Sequence, residues 1–393
     1  MRRLLATVVA AAALASVAPA ASAAVPSPPT VHGWPKSVSA GTVLQGPSGG
    51  LVLVRVQTGG TAATAYRRDG RLLWSARQDA GCGNCDDGPQ PVRLQADGTY
   101  GPIGFDGDFT WSAGPSGRVE RGCSGVVFAD GACVMAFSEL GPPPGPPDRP
   151  VVAGRDAGAT TWSWRLPVPG WLWSDDFNVP PMTVRDRAGI VYTAFDRPRP
   201  EGAPPGTAAS GLLVAVDPVA RRILWTIEGP SQALTGLTSG VLVAEPGGVA
   251  AYRADGTVAW RRVVPEGQRV VPTSVVHDPA RGRVYLGRVA VTLRSEVGVT
   301  AVSAATGARA WRTRPSDRAR LLSVGRGGRV YVAIDRAGHR SVRGLRLANA
   351  TTAWERRTSL PVQSARELLN GTVAVSAGGQ YGGPGRLTLL DPR

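Results

Sequence analysis

The chain of 393 residues is poor in lysine, with only Lys36, and it carries three histidines and four cysteines. Each scarcity excludes something. His32, His277 and His339 lie far apart and show no metal-ligand spacing, so no metal site is expected. No two cysteines are adjacent. Helical periodicity is nearly absent, which argues against a mixed α/β design. Beyond the N-terminal segment, no apolar run approaches the roughly 20 residues a membrane-spanning helix needs. The formal net charge of +15 is almost entirely arginine, and residues such as Arg221, Arg261, Arg312 and Arg356 are dispersed along the chain. A nucleic-acid binder gathers its charge into a patch with stacking aromatics, so no nucleic-acid partner is expected. What remains is a basic, solvated surface able to attract anionic wall polymers or lipid headgroups.

The first 23 residues join Arg2 and Arg3 to an apolar middle and a small-residue end at Ala21, Ser22 and Ala23. With an apolar core of about fourteen residues, this is the pattern of a secretory signal peptide, too short for a span. Cleavage near Ala23 leaves 24–393 as a single domain, expected to be a soluble monomer, secreted or in the cell envelope. Four cysteines, Cys82, Cys85, Cys123 and Cys133, suit an oxidising compartment. Three pairings are open, and proximity favours Cys82 with Cys85 and Cys123 with Cys133. The CGNC stretch lacks the βαβ setting of a redox motif, so structural disulfides are expected.

What the chain has in quantity is a repeat. A short apolar strand, a turn of small or Asp/Gly residues and a tryptophan recur, as in AYRRDGRLLW and AYRADGTVAW. The copies end at Trp74, Trp111, Trp162, Trp225, Trp260, Trp311 and Trp354. Four residues before the tryptophan stands Gly70, Gly107, Gly158, Gly256 or Gly307, a position suited to a turn with positive φ. β-Branched strands such as GIVYTAF, GRVYLG and GRVYVA precede each unit. The chain stops at LTLLDPR, where Asp391 matches Asp217 of LLVAVDPVARRILW but no tryptophan follows. An unassigned VHGWP with Trp34 stands near the mature N-terminus, and it is expected to supply the missing outer strand.

Trp34 thereby becomes the eighth member of the set, and the period of about 46 residues suits four strands with their turns. The expected fold is an all-β, eight-bladed β-propeller of four-stranded antiparallel blades, its ring closed by the N-terminal strand. Seven blades is the alternative, because the unit ending at Trp111 is short. The tryptophans are expected to dock one blade on the next, each burying roughly 150–250 Å².

The pattern A-x-D-x-x-T-G-x-x-x-W resembles the quinoprotein-like propellers of the pyrroloquinoline quinone repeat group. Ala301 to Trp311 match it with Ser303 in the aspartate place, and Ala215 to Trp225 match at the alanine, aspartate and tryptophan. That group contains quinone-dependent dehydrogenases and non-catalytic, BamB-like assembly scaffolds. The dehydrogenases hold their cofactor with a disulfide between adjacent cysteines, a stacking tryptophan and a calcium site. This chain has no adjacent cysteine pair, so the resemblance lies nearer the non-catalytic members; no cofactor and no catalytic residue are carried over. The resemblance implies a scaffold that binds an envelope or secreted protein, with a quinone-dependent oxidoreductase or a polysaccharide-acting enzyme or lectin as the alternative.

Two Pro-rich insertions, Glu139–Pro150 and Asp196–Gly211, interrupt their units between the second and third strands. Extended Pro-rich segments cost little entropy to dock, so a partner edge is one reading and idle connection the other. Two loops that follow tryptophan strands carry Asp86 and Asp87, and Trp171, Trp173, Asp175 and Asp176. Aromatics beside carboxylates suit a sugar, a cation or a basic peptide, although Asp is also an ordinary turn residue. These loops are expected on the face opposite the Pro-rich insertions.

Overall fold

The computed structural model describes residues 25–46, 50–57, 60–79, 92–94, 100–102, 112–113, 119–120, 126–127, 133–139, 149–156, 159–165, 183–196, 211–229, 232–245, 247–290, 295–336, 338–379 and 384–392. The expected signal peptide and Trp111 lie outside them. The β-branched runs form strands, and among the described residues there is no α-helix, only a 3₁₀ turn at Pro315–Asp317.

Among the described residues the strands make eight four-stranded antiparallel sheets, spanning 42–79, 92–120, 126–165, 184–228, 232–263, 268–312, 319–357 and 362–390. Seven are meanders in chain order, and the eighth takes its fourth strand, Lys36–Ser37, from the N-terminal segment. Lys36 lies opposite Leu387 and Ser37 opposite Arg386. The contact extends to both sides: Thr30 bridges Leu390, and the Val31 and Val38 amides donate to Leu389 O and Gly385 O at 2.8 and 3.1 Å. The pairing therefore lies on both sides of Trp34, at Thr30 and Val31 and again from Lys36 to Val38. His32 and Gly33 form a turn in which the Trp34 amide donates to Val31 O, and Pro35 has no N–H to contribute.

From the third sheet round to the first, neighbouring sheets share apolar clusters among the described residues. The third and fourth meet through Val152, Phe195 and Leu212, the fourth and fifth through Tyr192, Ala233 and Val243, and the fifth and sixth through Leu242, Trp260 and Val284. Tyr285 and Val332 join the sixth to the seventh, Tyr331 and Val375 the seventh to the eighth. The eighth continues onto the first through Trp34, Leu389 and Leu53, so both chain termini share one cluster.

The tryptophans serve this packing in a specific way. Across its own sheet each faces a small residue: Trp74 opposite Ala65, Trp162 opposite Gly154, Trp225 opposite Ala215, Trp260 opposite Ala251, Trp311 opposite Ala301 and Trp354 opposite Gly344. A register shift follows each of these pairs at the turn side, the mark of a β-bulge. Small partners are obligatory where the ring lies flat, since a Cβ on Gly344 would come within 2.5 Å of Trp354 Nε1.

The indole N–H then reaches into the next sheet. Trp225 donates to Ala254 O at 2.8 Å, Trp260 to Ala304 O at 2.9 Å, Trp311 to Leu347 O at 2.6 Å, and Trp34 of the eighth sheet to Arg68 O of the first at 2.9 Å. All four acceptors belong to the turn between third and fourth strands. The ring also covers that turn's glycine: a Cβ on Gly256 would stand 3.1 Å from Trp225, and one on Gly307 2.7 Å from Trp260. Trp354 breaks the pattern, for its indole nitrogen is buried without a hydrogen-bond partner among the described residues. Trp225 is half-buried rather than buried.

The turn position is left-handed in every described copy. Gly70, Gly256 and Gly307 have φ of 82°, 84° and 68°, while Arg221 and Ala350 hold the same place at 50° and 60°. The hairpin imposes the conformation on whichever residue occupies it. Gly107 and Gly158 lie outside the described residues.

Two outcomes follow. Arg221→Gly relieves a left-handed side chain at an exposed site and is expected to stabilise by about 0.5–1 kcal/mol, read as a higher urea midpoint with unchanged slope. Trp34→Ala empties the cluster that joins the two termini and is expected to cost about 3–5 kcal/mol, while Trp34→Phe loses far less.

Candidate functional site

Because strand direction alternates, the turns joining first to second and third to fourth strands lie at one end of every sheet. The loops joining second to third strands, and the links to the next sheet, lie at the other. The first end is built of tight turns. Arg67, Arg253, Ser303 and Arg346 amides donate across their turns at 2.8–2.9 Å, and the Asp69, Asp255 and Asn349 side chains accept from amides two residues on.

Several polar groups at this end join sheets, although Tyr285 Oη of the sixth sheet is buried with no hydrogen-bond partner among the described residues. Asp186 accepts from Tyr192 Oη at 2.9 Å, from the Ile190 amide at 3.0 Å and from the Gly240 amide of the next sheet at 2.9 Å. Glu367 accepts from Tyr331 Oη at 2.5 Å and from the Gly327 amide at 2.8 Å, both in the preceding sheet. Burial, reinforced by these carboxylates, drives both phenol pKa values far up, so the hydroxyls act only as donors. This chemistry is structural.

The other end carries the insertions. The segment with Cys82, Cys85, Asp86 and Asp87 leaves from Asp79, and that with Trp171, Trp173, Asp175 and Asp176 leaves from Arg165, each the last residue of a fourth strand. The Pro-rich segments leave from Glu139 and Asp196, each the last residue of a second strand. All four therefore depart from the same end of their sheets, which corrects the expectation of opposite faces. The reason is strand parity: second and fourth strands run in the same direction. Residues Asp86, Asp87, Trp171, Trp173, Asp175, Asp176, Cys82, Cys85 and Cys123 lie outside the described residues. Cys133 opens the strand Cys133–Glu139.

Among the described residues at this end stands a pair that no sequence motif announced. Glu296 begins a third strand of the sixth sheet, and its Oε1 lies 3.7 Å from Arg320 Nε of the seventh. Arg320 also donates to Gln363 O at 3.2 Å and to Val362 O in the eighth, tying three consecutive sheets together. Glu296 Oε2 has no hydrogen-bond partner among the described residues. Burial outweighs the arginine and pushes this carboxyl up to about 7, and burial likewise pulls Arg320 down. The pair is thus a proton-binding strut beneath the loop-bearing end. Among the described residues no three His, Cys, Asp or Glu side chains converge as metal ligands.

With the geometry in view, comparison with known proteins places the fold. Residues 245–393 match a PQQ-repeat family model described as "Outer membrane protein assembly factor BamB". Among solved structures, BamB from Moraxella catarrhalis superposes with a TM-score of 0.52 at 12% identity, covering 91% of this chain and 99% of that one. A europium-containing methanol dehydrogenase superposes at 0.56 and 10% identity, covering 92% and 93%. At such identities the likeness establishes the fold, a β-propeller. Comparison with curated proteins finds no match. These findings support the quinoprotein-like repeat resemblance, on its BamB-like side. No helix among the described residues is long and apolar enough to cross a membrane.

Glu296 makes stability depend on pH. Its folded pKa lies above the ordinary value of 4.5, so the native state holds a proton that the unfolded chain has released. Its contribution is full below the unfolded pKa and is lost as pH rises through about 7. Between pH 4 and pH 8, wild type is expected to lose roughly 2–3 kcal/mol relative to Glu296→Gln, measured by urea unfolding across the range.

Proposed function

We propose that residues 24–393, after export and cleavage near Ala23, form a single-domain, monomeric, eight-bladed β-propeller that works as a non-enzymatic protein-binding scaffold outside the cytoplasm. Eight four-stranded sheets among the described residues support eight blades over seven. Pairing of Lys36–Ser37 with the last strand, and the cluster shared by both termini, support a ring closed by the N-terminal segment.

One observation carries the functional reading. The long insertions depart from one end of the sheets, while at the other end short turns, the buried Asp186 and the half-buried Glu367 are committed to holding neighbouring sheets. A rigid frame with variable loops on a single face is the arrangement of a binding surface. The match of 245–393 to the BamB family model supports a protein partner in the envelope or secreted fraction. The Pro-rich segments 140–148 and 197–210 supply extended docking edges on this face, and Trp171, Trp173, Asp175, Asp176, Asp86 and Asp87 supply its aromatic and acidic contacts. A bridge between Cys82 and Cys85 braces it, and one between Cys123 and Cys133 ties down the strand Cys133–Glu139.

The test is cross-linking capture of the tagged mature protein in its native fraction, with mass spectrometry of what is held. One partner is expected, and replacing 140–148 and 197–210 by short Gly-Ser links is expected to abolish its capture with no change in melting temperature. Equal capture by the shortened variant would remove the proposed face. Calorimetric titration with the quinone and calcium is expected to give no heat; saturable heat would restore the enzyme reading.

A further inference from the structure

The basic charge is dispersed in sequence, yet the fold gathers part of it. Between the fifth and sixth sheets lies a crevice of about 100 Å³ lined by Arg262, Arg288, Arg309 and Arg312, with Thr300 and an apolar floor that includes Val270 and Leu286. Among the described residues no acid lines it. Arg288 is its base, only 8% exposed, and Arg309 and Arg312 stand exposed at the rim.

The hydrogen bonding of Arg288 is incomplete. One terminal nitrogen, Nη1, donates to Gln268 Oε1 at 2.9 Å, which fixes the side chain, while the buried Nε has no partner among the described residues. Arg262 donates to Gly307 O at 3.1 Å, a neutral carbonyl. Burial first, and then the like charges of Arg312 and Arg262, pull Arg288 below the usual guanidinium value. A guanidinium does not give up its proton in proteins, so the repulsion is not relieved by titration. A buried cation without a counter-charge costs several kcal/mol, and a bound anion is the direct remedy.

We infer that this inter-sheet crevice is a binding site for a phosphate-type oxyanion. Guanidinium forks match tetrahedral oxyanions bidentately, and the rim arginines leave the base accessible from solvent. The crevice between the seventh and eighth sheets repeats the scheme, with Arg356, Arg357 and Arg386 among lining residues that include Thr358, Ser359 and Thr388 and no acid. It lacks a buried arginine at the place corresponding to Arg288, where Ala377 stands, so the first crevice is the stronger site.

This inference does not rest on the scaffold reading. The experiment is calorimetric titration of the mature protein with inorganic phosphate at pH 7 in low-chloride buffer, repeated with dimethyl phosphate. Saturable phosphate binding is expected, weakened at least tenfold by Arg288→Gln and by Arg312→Gln, and unchanged by Arg340→Gln at a distant exposed site. Arg312 is at the rim, so its variant keeps the test valid should Arg288→Gln fold poorly. Binding of phosphate alone supports a free ion or monoester as the source, and binding of both ligands supports a phosphodiester. No saturable phosphate binding, or affinity unchanged in both variants, would overturn the site.

Discussion

The contact on which the structure depends is an indole laid across the turn of the next sheet. It combines a large apolar area with one directed hydrogen bond, and each half sets a requirement elsewhere. The ring needs a small residue opposite it in its own sheet, met by Ala or Gly in all six described pairs. The N–H needs a carbonyl presented by the neighbouring turn, and that turn needs a left-handed residue to expose it. Sheet, bulge and turn are thus specified together, and repetition of the set makes the packing run from sheet to sheet.

The consequence for function is a division between two ends. The turn end is committed: its carbonyls receive indoles, and Asp186 and Glu367 bind amides across sheet boundaries. Insertions there would disturb contacts that hold neighbouring sheets. The loop end makes fewer such demands, so long Pro-rich and acidic segments are accommodated, and the Glu296–Arg320 strut holds three sheets beneath them. Between sheets, arginines facing one another without acids leave a third kind of surface, selective for charge rather than for a protein partner.

Much of this was legible in the sequence, and for a physical reason. Tryptophan spacing and turn glycines are local properties, and the strands they announced are present, including the N-terminal contribution to the eighth sheet. Arg221 and Ala350 show the limit of reading glycine as the signal, because the hairpin enforces positive φ without it. VHGWP begins in contact with the last strand at Val31, and its turn at His32 and Gly33 places the regular ladder at Lys36 and Ser37. Face assignment failed through strand parity, which composition does not display. Glu296 with Arg320, and Arg288 with Arg262 and Arg312, were invisible because their members meet only when different sheets pack. The candidates Trp171, Trp173, Asp175 and Asp176 lie outside the described residues, and what is described is the strand end at Arg165 from which their segment departs.

The most direct test of the account is hydrogen exchange of the mature protein followed by mass spectrometry under native conditions. If indole docking locks sheets together, amides of the turns 67–71, 253–257, 303–308 and 346–351 exchange as slowly as the strands beside them, in one cooperative opening. Turns that exchange as fast as exposed loops, with each sheet opening at its own rate, would contradict it.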